Sequence, residues 1–219
     1  MDILLNEVEV RVLGSLIEKE MTTPEYYPLS LNSLTNACNQ KSNRDPVTTL
    51  SEEDVVRAVD SLRFKQLSVI SADGGRVPKY RHLLAEKLGL MPAEQAIISE
   101  LLLRGPQTLG ELRTRCERMH PFTTLSAVEE VLKELATREI PLVTLLPRQP
   151  GRKEGRYIQL FSGIPDTSKE EHEPNPEAAR LRVMLENDRI TKLEEELAEL
   201  RSEVIELGNM MNEFKKQFE

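Results

Sequence analysis

The sequence contains no tryptophan, and aromatic residues make up only 4% of its 219 residues. Long apolar runs are also missing: the longest has a few residues, whereas a membrane-spanning helix needs roughly 20. The opening stretch MDILLNEVEV lacks the basic start of a secretory signal. We therefore expect a cytoplasmic protein with no membrane partner. Leu, Val and Ile are spread along most of the chain, which favours a mainly aliphatic, helical core.

Residues that bind metals or build disulfides are few. There are two cysteines, Cys38 and Cys116, and three histidines, His82, His120 and His172. These numbers are too small for a disulfide framework or a cysteine-rich zinc site. The common catalytic motifs are absent, and GRKEGR from Gly151 lacks the strand–turn–helix context of a phosphate loop. We expect no metal, no cofactor and no enzymatic activity.

Excess negative charge is confined to one part of the chain. The formal net charge is −8, but residues 1–88 carry −2, residues 89–165 carry +1 and residues 166–219 carry −7. The first 165 residues are therefore close to neutral, and a neutral domain can still carry a basic patch.

An internal repeat organises the first 165 residues. The stretch EVRVLGSLIEKE from Glu9 has the same apolar pattern as EQAIISELLLRG from Glu94. Two further helical stripes recur with the same spacing in both copies. They are Leu31, Leu34 and Cys38 with Leu109, Leu112 and Cys116, and Val55, Val59 and Leu62 with Val128, Leu132 and Leu135. Because each cysteine lies on the apolar stripe of its helix, we expect both to be buried packing residues.

Each copy ends in two short segments typical of β-strands. LSVIS from Leu67 and IPLVTLL from Ile140 are each followed by a turn-rich loop, and then by KYRHLL or RYIQLF. Three helices followed by a β-hairpin are the order of a winged helix. The sequence therefore predicts a mainly α, α+β fold with two tandem winged helix-turn-helix domains, at residues 1–88 and 89–163.

Helix starts and the boundary between the copies can also be located. Ser51 followed by Asp54, and Thr108 followed by Glu111, have the spacing of a helix N-cap with its acidic partner. The boundary falls near residues 86–92, EKLGLMP. Since this connection is short, we expect the two modules to pack against each other.

The last part of the chain predicts a linker and a long helix. Residues 164–178 combine proline and charge without periodicity, and residues 179–219 carry apolar residues at gaps of three and four. That spacing is the heptad repeat of a coiled coil, so we expect a homodimer formed through it. The alternative is a single helix that folds back on the body. The dimerisation candidates are Ile190, Leu193, Leu197, Leu200, Val204, Leu207, Met211 and Phe214.

Four stretches are long enough to compare with known families. They are TTPEYYPLSLNSLTNACNQKSNRDPV from Thr22, RVPKYRH from Arg76, LLLRGPQTLGELRTR from Leu101 and LPRQPGRKEGRYIQLF from Leu146. Together they cover most of the first 165 residues and resemble the YceH-like family of uncharacterised bacterial proteins. The resemblance implies a tandem winged-helix fold followed by a variable coiled-coil tail, and it implies no established activity.

A winged helix normally lays its third helix in the major groove of DNA and touches phosphates with its wing. Both predicted third helices are acidic, and phosphate would repel them. Their acidic residues are Glu52, Glu53 and Asp54 in the first copy and Glu129, Glu130 and Glu134 in the second. Basic and amide residues gather elsewhere, and the DNA-binding candidates are Lys41, Asn43, Arg44, Arg76, Lys79, Arg81, Arg113, Arg115, Arg118, Arg148, Arg152, Lys153 and Arg156.

Two functions fit this pattern. The first is a regulator associated with transcription or the chromosome that binds duplex DNA through its basic wings, mostly without sequence specificity. The alternative is a protein–protein adaptor that uses the acidic third helices as docking faces for a basic partner. Against both stands the interpretation of the basic residues as ordinary solvated loop positions.

The turn from Asn39 to Leu50 is much longer than the three or four residues usual in this motif. Its Asn, Ser and Asp residues could form local caps, or Asn43 and Arg44 could contact a partner or phosphate. Tyr26 and Tyr27 likewise have two interpretations, as a small recognition surface or as packing residues under a proline-rich connection.

Overall fold

Most of the described chain folds into amphipathic helices, the longest of which has 16 residues. The structure is a computed structural model, and it describes residues 3–71, 77–148 and 154–163. Residues 1–165 form one compact unit and residues 166–219 a second, which lies outside the described residues together with the predicted linker and coiled coil. None of the described helices is long and apolar enough to span a membrane.

The first half runs through three helices before its main strands. The helices are α1 (Glu7–Thr22), α2 (Leu31–Cys38) and α3 (Glu52–Phe64). The strands are β1 (Leu29–Ser30), β2 (Ser68–Ile70) and β3 (Lys79–His82), and they form an antiparallel sheet in the order β1-β3-β2. Ser30 pairs with Lys79 and Ser68 with His82, so β3 is the central strand.

The second half repeats this order after one extra helix. That helix is α4 (Leu84–Leu88), and it is followed by α5 (Pro92–Arg104), α6 (Leu109–Arg115) and α7 (Leu125–Thr137). Two strands, β4 (Val143–Leu145) and β5 (Tyr157–Gln159), then pair as an antiparallel ribbon. The fold is thus α-rich with two small antiparallel sheets, and the predicted α+β class is confirmed.

Local sequence signals account for several helix starts. The Ser51 side chain accepts a hydrogen bond from the Asp54 amide, and the Asp54 carboxylate accepts one from the Ser51 amide. Thr108 and Glu111 form the same reciprocal pair at the start of α6. Both predicted N-caps are confirmed, because this pairing satisfies two backbone amides that the first turn of a helix leaves without partners.

The segment between the two halves, residues 86–92, is partly helical and not simply a connecting loop. Its first residues belong to α4, which ends at Gly89 in the left-handed region with φ of 60°. Glycine tolerates that conformation without a steric penalty. Leu84 at the start of α4 and Leu90 after Gly89 are both buried, so the segment packs on the core at both of its ends.

One apolar core runs through both halves. The repeated stripes supply fully buried pairs at equivalent positions, which include Leu34 with Leu112, Val59 with Leu132 and Cys38 with Cys116. The predicted buried packing of both cysteines is confirmed. Because each short helix has one apolar face, the helices bury that surface only by packing against each other.

The first helices of the two halves make the closest approach between them. Gly14 of α1 lies so near α5 that an added Cβ would stand 3.0 Å from the Leu102 Cβ. The Ser99 hydroxyl donates a hydrogen bond of 3.2 Å to the Gly14 carbonyl. The halves therefore meet through packed helix faces, as the short connection predicts, while the domain boundaries at residues 88 and 163 stay predictions.

Candidate nucleic-acid interface

Three charged side chains converge at one edge of the second half, two from α6 and one from the residue before β5. The Arg115 guanidinium lies 3.3 Å from the Glu111 carboxylate, and the Arg156 guanidinium lies 3.8 Å from the same carboxylate. Two arginines thus share one acidic partner and leave a net positive charge. We call Glu111, Arg115 and Arg156 the α6 basic cluster.

Buried polar groups hold the α6 basic cluster in place. Gln107 is fully buried, and its side-chain oxygen accepts a hydrogen bond of 2.8 Å from Arg115. Its backbone pairs with Tyr157 of β5, through N–O distances of 3.0 and 2.8 Å. Arg156 donates to the Pro106 carbonyl at 3.1 Å. The start of α6 and the second strand of the ribbon are therefore joined directly beneath the two guanidinium groups.

Glu111 stays ionised in this setting. Partial burial raises its pKa, but hydrogen bonds from Thr108 and the positive charges of Arg115 and Arg156 outweigh that effect and hold the pKa below its ordinary value. The cluster therefore keeps its charge distribution at neutral pH, with two cations around one anion.

Three further predicted binding residues lie on neighbouring segments. Arg113 in α6, Arg118 in the short 3-10 turn after it, and Arg148 after β4 are all exposed. Arg152 and Lys153 of the same predicted wing lie outside the described residues. Among the described residues, five predicted basic positions of the second half therefore lie on α6, on the turn after it and at the loop end of the ribbon.

The first half presents fewer of the predicted basic residues. Lys79 is exposed on β3, and Arg81 is half-buried and lies 2.6 Å from the Glu86 carboxylate. Arg76 lies outside the described residues. Helix α2, the counterpart of α6, has the sequence LNSLTNAC without a charged residue. The two halves thus share a backbone plan but differ in surface charge.

Arg44 corrects the prediction that the long turn offers a guanidinium to phosphate. Its side chain is fully buried, and its two terminal nitrogens lie 3.1 and 2.7 Å from the Glu18 carboxylate of α1. It also donates to the Ala37 carbonyl at 3.0 and 2.7 Å. A guanidinium whose donors are taken up inside the protein has none left for a ligand.

The rest of the turn is fastened to the body in the same way. The Asn39 side chain donates to the Leu50 carbonyl at 2.8 Å and accepts from the Leu50 amide at 2.7 Å. The Asp45 amide donates to the Leu103 carbonyl of α5 at 3.0 Å. These contacts support the structural interpretation of the turn. It links the end of α2 to the start of α3 by hydrogen bonds and also contacts α5 of the second half.

The two other predicted binding residues of the turn have different surroundings. Asn43 adopts a positive φ of 58°, and its side-chain oxygen accepts a hydrogen bond from Arg104 of α5. Lys41 is exposed. Lys41 alone among the candidates of this turn therefore offers an exposed charge.

Exposed acidic groups cover the outer faces of α3 and α7. Glu52 and Glu53 in α3 and Glu129, Glu130 and Glu134 in α7 are exposed. Asp54 accepts hydrogen bonds from Ser51, which lower the pKa of its carboxyl. These carboxylates would repel a phosphate backbone.

The two tyrosines of the proline-rich connection have different environments. Tyr26 is exposed, whereas the Tyr27 hydroxyl accepts a hydrogen bond of 2.8 Å from the His82 backbone amide. The His82 ring is buried, with its Nε2 atom 2.7 Å from the Glu20 carboxylate. Tyr27 is therefore a packing residue, and sequence reasoning missed the contact that ties β3 to the end of α1.

A second buried polar group was also missed. Glu100 of α5 is 2% exposed, and its carboxylate lies 3.3 Å from the Arg104 guanidinium. Burial raises the pKa of Glu100 to about 7, the positive charge of Arg104 lowers it, and the negative charge of Glu18 raises it further. The sequence does contain a signal for this residue, because Glu100 lies on the apolar face of a predicted helix. An acidic residue is rarely buried there without a partner.

The cysteine thiols do not form a reactive centre. Burial raises the pKa of Cys38 to about 11 and raises that of Cys116 as well. A thiol with a raised pKa has little of the thiolate that reacts or binds metal. Within the described ranges, the acidic, histidine and cysteine residues form no group that could hold a metal ion.

Comparison with known proteins gives a consistent result. The profile of a family described as "Protein of unknown function, DUF480" matches residues 5–152. The chain is 69% identical to a UPF0502 protein of Geotalea uraniireducens and 69% identical to one of Geotalea daltonii. It is 66% identical to a UPF0502 protein of Geobacter sulfurreducens. Each of these alignments covers 100% of both chains.

Proposed function

Since the chain belongs to the DUF480 family of proteins of unknown function, we propose that it is a non-enzymatic, DNA-associated regulator that contacts duplex phosphates through basic edges of two winged-helix modules. The order of helices and strands in each half supports the winged-helix assignment. In each half the first hairpin strand also packs against the third helix, β2 on α3 and β4 on α7.

The α6 basic cluster is the observation that carries the proposal. Arg115 and Arg156 keep a net positive charge beside Glu111, and Arg113 and Arg118 add exposed guanidinium groups on the same short segment. A guanidinium group can donate two hydrogen bonds to the oxygens of one phosphate, and this contact does not depend on the base sequence. The proposed contact is therefore mostly non-specific, and it extends to Lys79 on the hairpin of the first half.

DNA binding is tested by fluorescence anisotropy with a labelled duplex at several salt concentrations. We expect affinity to fall steeply with salt, because each phosphate contact releases counterions. Replacing Arg113 and Arg118 by Gln should weaken binding and reduce the slope of log K against log salt by about 1 per lost contact. A flat titration at low salt would remove the proposal.

A matched control removes the same charge from the third helices. Arg63 of α3 and Lys133 of α7 are both exposed, and replacing them by Gln lowers the net charge by the same amount. This variant should keep the binding curve of the unchanged protein. An equal loss of affinity in the control would mean that total charge, or the third helices, determines binding, and would contradict the proposed surface.

The exposed acidic faces favour a second candidate function, docking of a basic protein partner. The strongest case is α7, where Glu129, Glu130 and Glu134 are exposed and would attract lysine and arginine side chains. Reversing these charges to Lys should release a partner that co-purifies after nuclease treatment, whereas reversal of the exposed Glu25 and Glu117 should not. Retention of every partner by the α7 variant would exclude this function.

Three further parts of the proposal come from the sequence. The protein acts in the cytoplasm, it takes no cofactor, and it forms a homodimer through the heptad positions from Ile190 to Phe214. Sedimentation of the intact chain tests the homodimer.

A further inference from the structure

The outer face of α3 combines charges of both signs with one exposed aromatic residue. Four residues lie on this face at helical spacing, namely Glu53, Arg57, Asp60 and Phe64, and all four are exposed. Phe64 is 90% exposed, the largest value among the exposed large apolar residues of the described chain. Aromatic side chains are enriched at protein interfaces, and a ring this accessible gains much from being covered.

The charges of this face are complementary to those of a second, antiparallel copy of the same face. If two copies of α3 pack antiparallel, with the two-fold axis between residues 57 and 60, Arg57 of each copy faces Asp60 of the other. Phe64 then lies level with the partner's Glu53, whose methylene groups offer it an apolar surface. At the edge, Arg63 comes within one turn of the partner's Glu52.

The ion pairs that α3 makes within itself do not compete strongly with this arrangement. Arg57 lies 3.4 Å from Glu53 and Arg63 lies 3.0 Å from Asp60. The paired side chains are between 43% and 82% exposed, and ion pairs that solvent reaches this freely contribute little to stability. They can therefore be exchanged for contacts across an interface without a large cost.

The equivalent face of α7 keeps a pair of opposite charges, Glu130 and Lys133, but lacks the aromatic residue. The repeat aligns Asp60 with Lys133 and Phe64 with Thr137, so the aromatic residue is missing. In the same antiparallel packing, Glu130 of one copy would face Lys133 of the other, whereas the flanking Glu129 would face Glu134 and repel it. Self-docking is therefore favoured at α3, where the exposed Phe64 adds an apolar contact and this flanking repulsion is missing.

From this complementarity we propose that the outer face of α3 docks on α3 of a second copy of this chain, antiparallel and around a two-fold axis. A two-fold interface of this kind uses the same patch on both copies, so it is closed and does not propagate. The helix has 13 residues, about 20 Å of length, which is a small contact and makes the association weak and reversible. The proposal does not depend on DNA binding, and it names the partner for one of the two acidic helices.

Directional cross-linking tests the proposal in the intact chain. One copy carries Glu53→Cys and the other Phe64→Cys, and the two native cysteines are buried and do not interfere. In an equimolar mixture we expect the mixed disulfide to form at least about tenfold faster than the disulfide of a Glu25→Cys control, a position that is also exposed. A coiled-coil dimer would raise the local concentration of every pair of cysteines, so the rate above the Glu25→Cys control measures what the α3 contact adds.

Charge exchange provides the second arm of the experiment. Adding Arg57→Asp to the Glu53→Cys copy places like charges across the two-fold axis, and cross-linking should fall by about tenfold. Adding Asp60→Arg to the other copy restores opposite charges and should restore the rate. Cross-linking no faster than the Glu25→Cys control, predominance of a disulfide between two Glu53→Cys copies, or no recovery in the doubly exchanged pair would each overturn the proposal.

Discussion

Arg44 shows how the environment of a residue can differ from its sequence context. It follows Lys41, Ser42 and Asn43 in a polar turn, yet its guanidinium is fully buried against Glu18. Removing one member of such a pair leaves a buried charge without a counter-charge, which is strongly destabilising. The long turn brings this side chain back to α1, and the sequence of the turn alone does not reveal that contact.

Glu100 carries a prediction about pH. Its pKa is raised to about 7 by burial and by the negative charge of Glu18, with Arg104 opposing the shift. A raised carboxyl pKa stabilises the fold fully below the ordinary value of 4.5, and this contribution is lost as the pH rises through about 7. The free energy of unfolding should therefore decline over that interval, by about 3 kcal/mol for a shift of this size.

Replacing Glu100 by Gln should remove this dependence. The variant has no proton to lose at this site, so its stability relative to the unchanged protein should rise between pH 5 and pH 8. Urea denaturation at a series of pH values measures the difference between the two proteins. A difference that stays constant over this range would show that Glu100 is ionised throughout and that the raised pKa is wrong.

At the scale of elements, the contact of α1 with α5 does most to join the two halves. The helices approach closely at Gly14, where a methyl group would stand 3.0 Å from the side chains of Leu102 and Leu103. Helical periodicity identifies the apolar faces of both helices. It does not say that the two faces meet each other, because an apolar stripe at this spacing fits many neighbours.

Gly14→Ala should therefore destabilise the protein even though alanine is the better helix former. We expect a loss of about 1 to 3 kcal/mol from overpacking, measured as the free energy of unfolding in urea. Gly110→Ala in α6 is the matched control, since an added Cβ meets nothing within 4 Å there. The control should be neutral or stabilising by about 0.5 to 1 kcal/mol; an equal effect at both positions would contradict a close approach at Gly14.

At the scale of the whole molecule, residues 1–165 form a single compact unit. The core includes Leu34 of the first half and Leu112 of the second in one continuous cluster. Two repeated modules with separate cores would unfold separately. A shared core links their opening, because the loss of one half exposes the apolar surface of the other.

Hydrogen exchange resolved by peptide can test that linkage. Leu34→Ala leaves a cavity in the first half, which typically costs about 2 to 5 kcal/mol, and it should speed amide exchange in α6 as well as in α2. Leu112→Ala should have the reciprocal effect. If exchange rises only in the half that carries the substitution, the two halves unfold independently and the linkage is wrong.

Periodicity, and caps such as Ser51 and Thr108 that act within a few residues, were enough to predict the three main helices and the hairpin of each half, but not α4 or β1. The apolar stripes also predicted the burial of Cys38 and Cys116. Which charged residues face solvent depends instead on how elements distant in the chain pack together. Arg44 is buried because its partner Glu18 lies in α1, far away in the chain, and Glu100 is buried because α5 packs into the core. Arg115 and Arg156 meet over Glu111 because the segment before β5 folds onto α6.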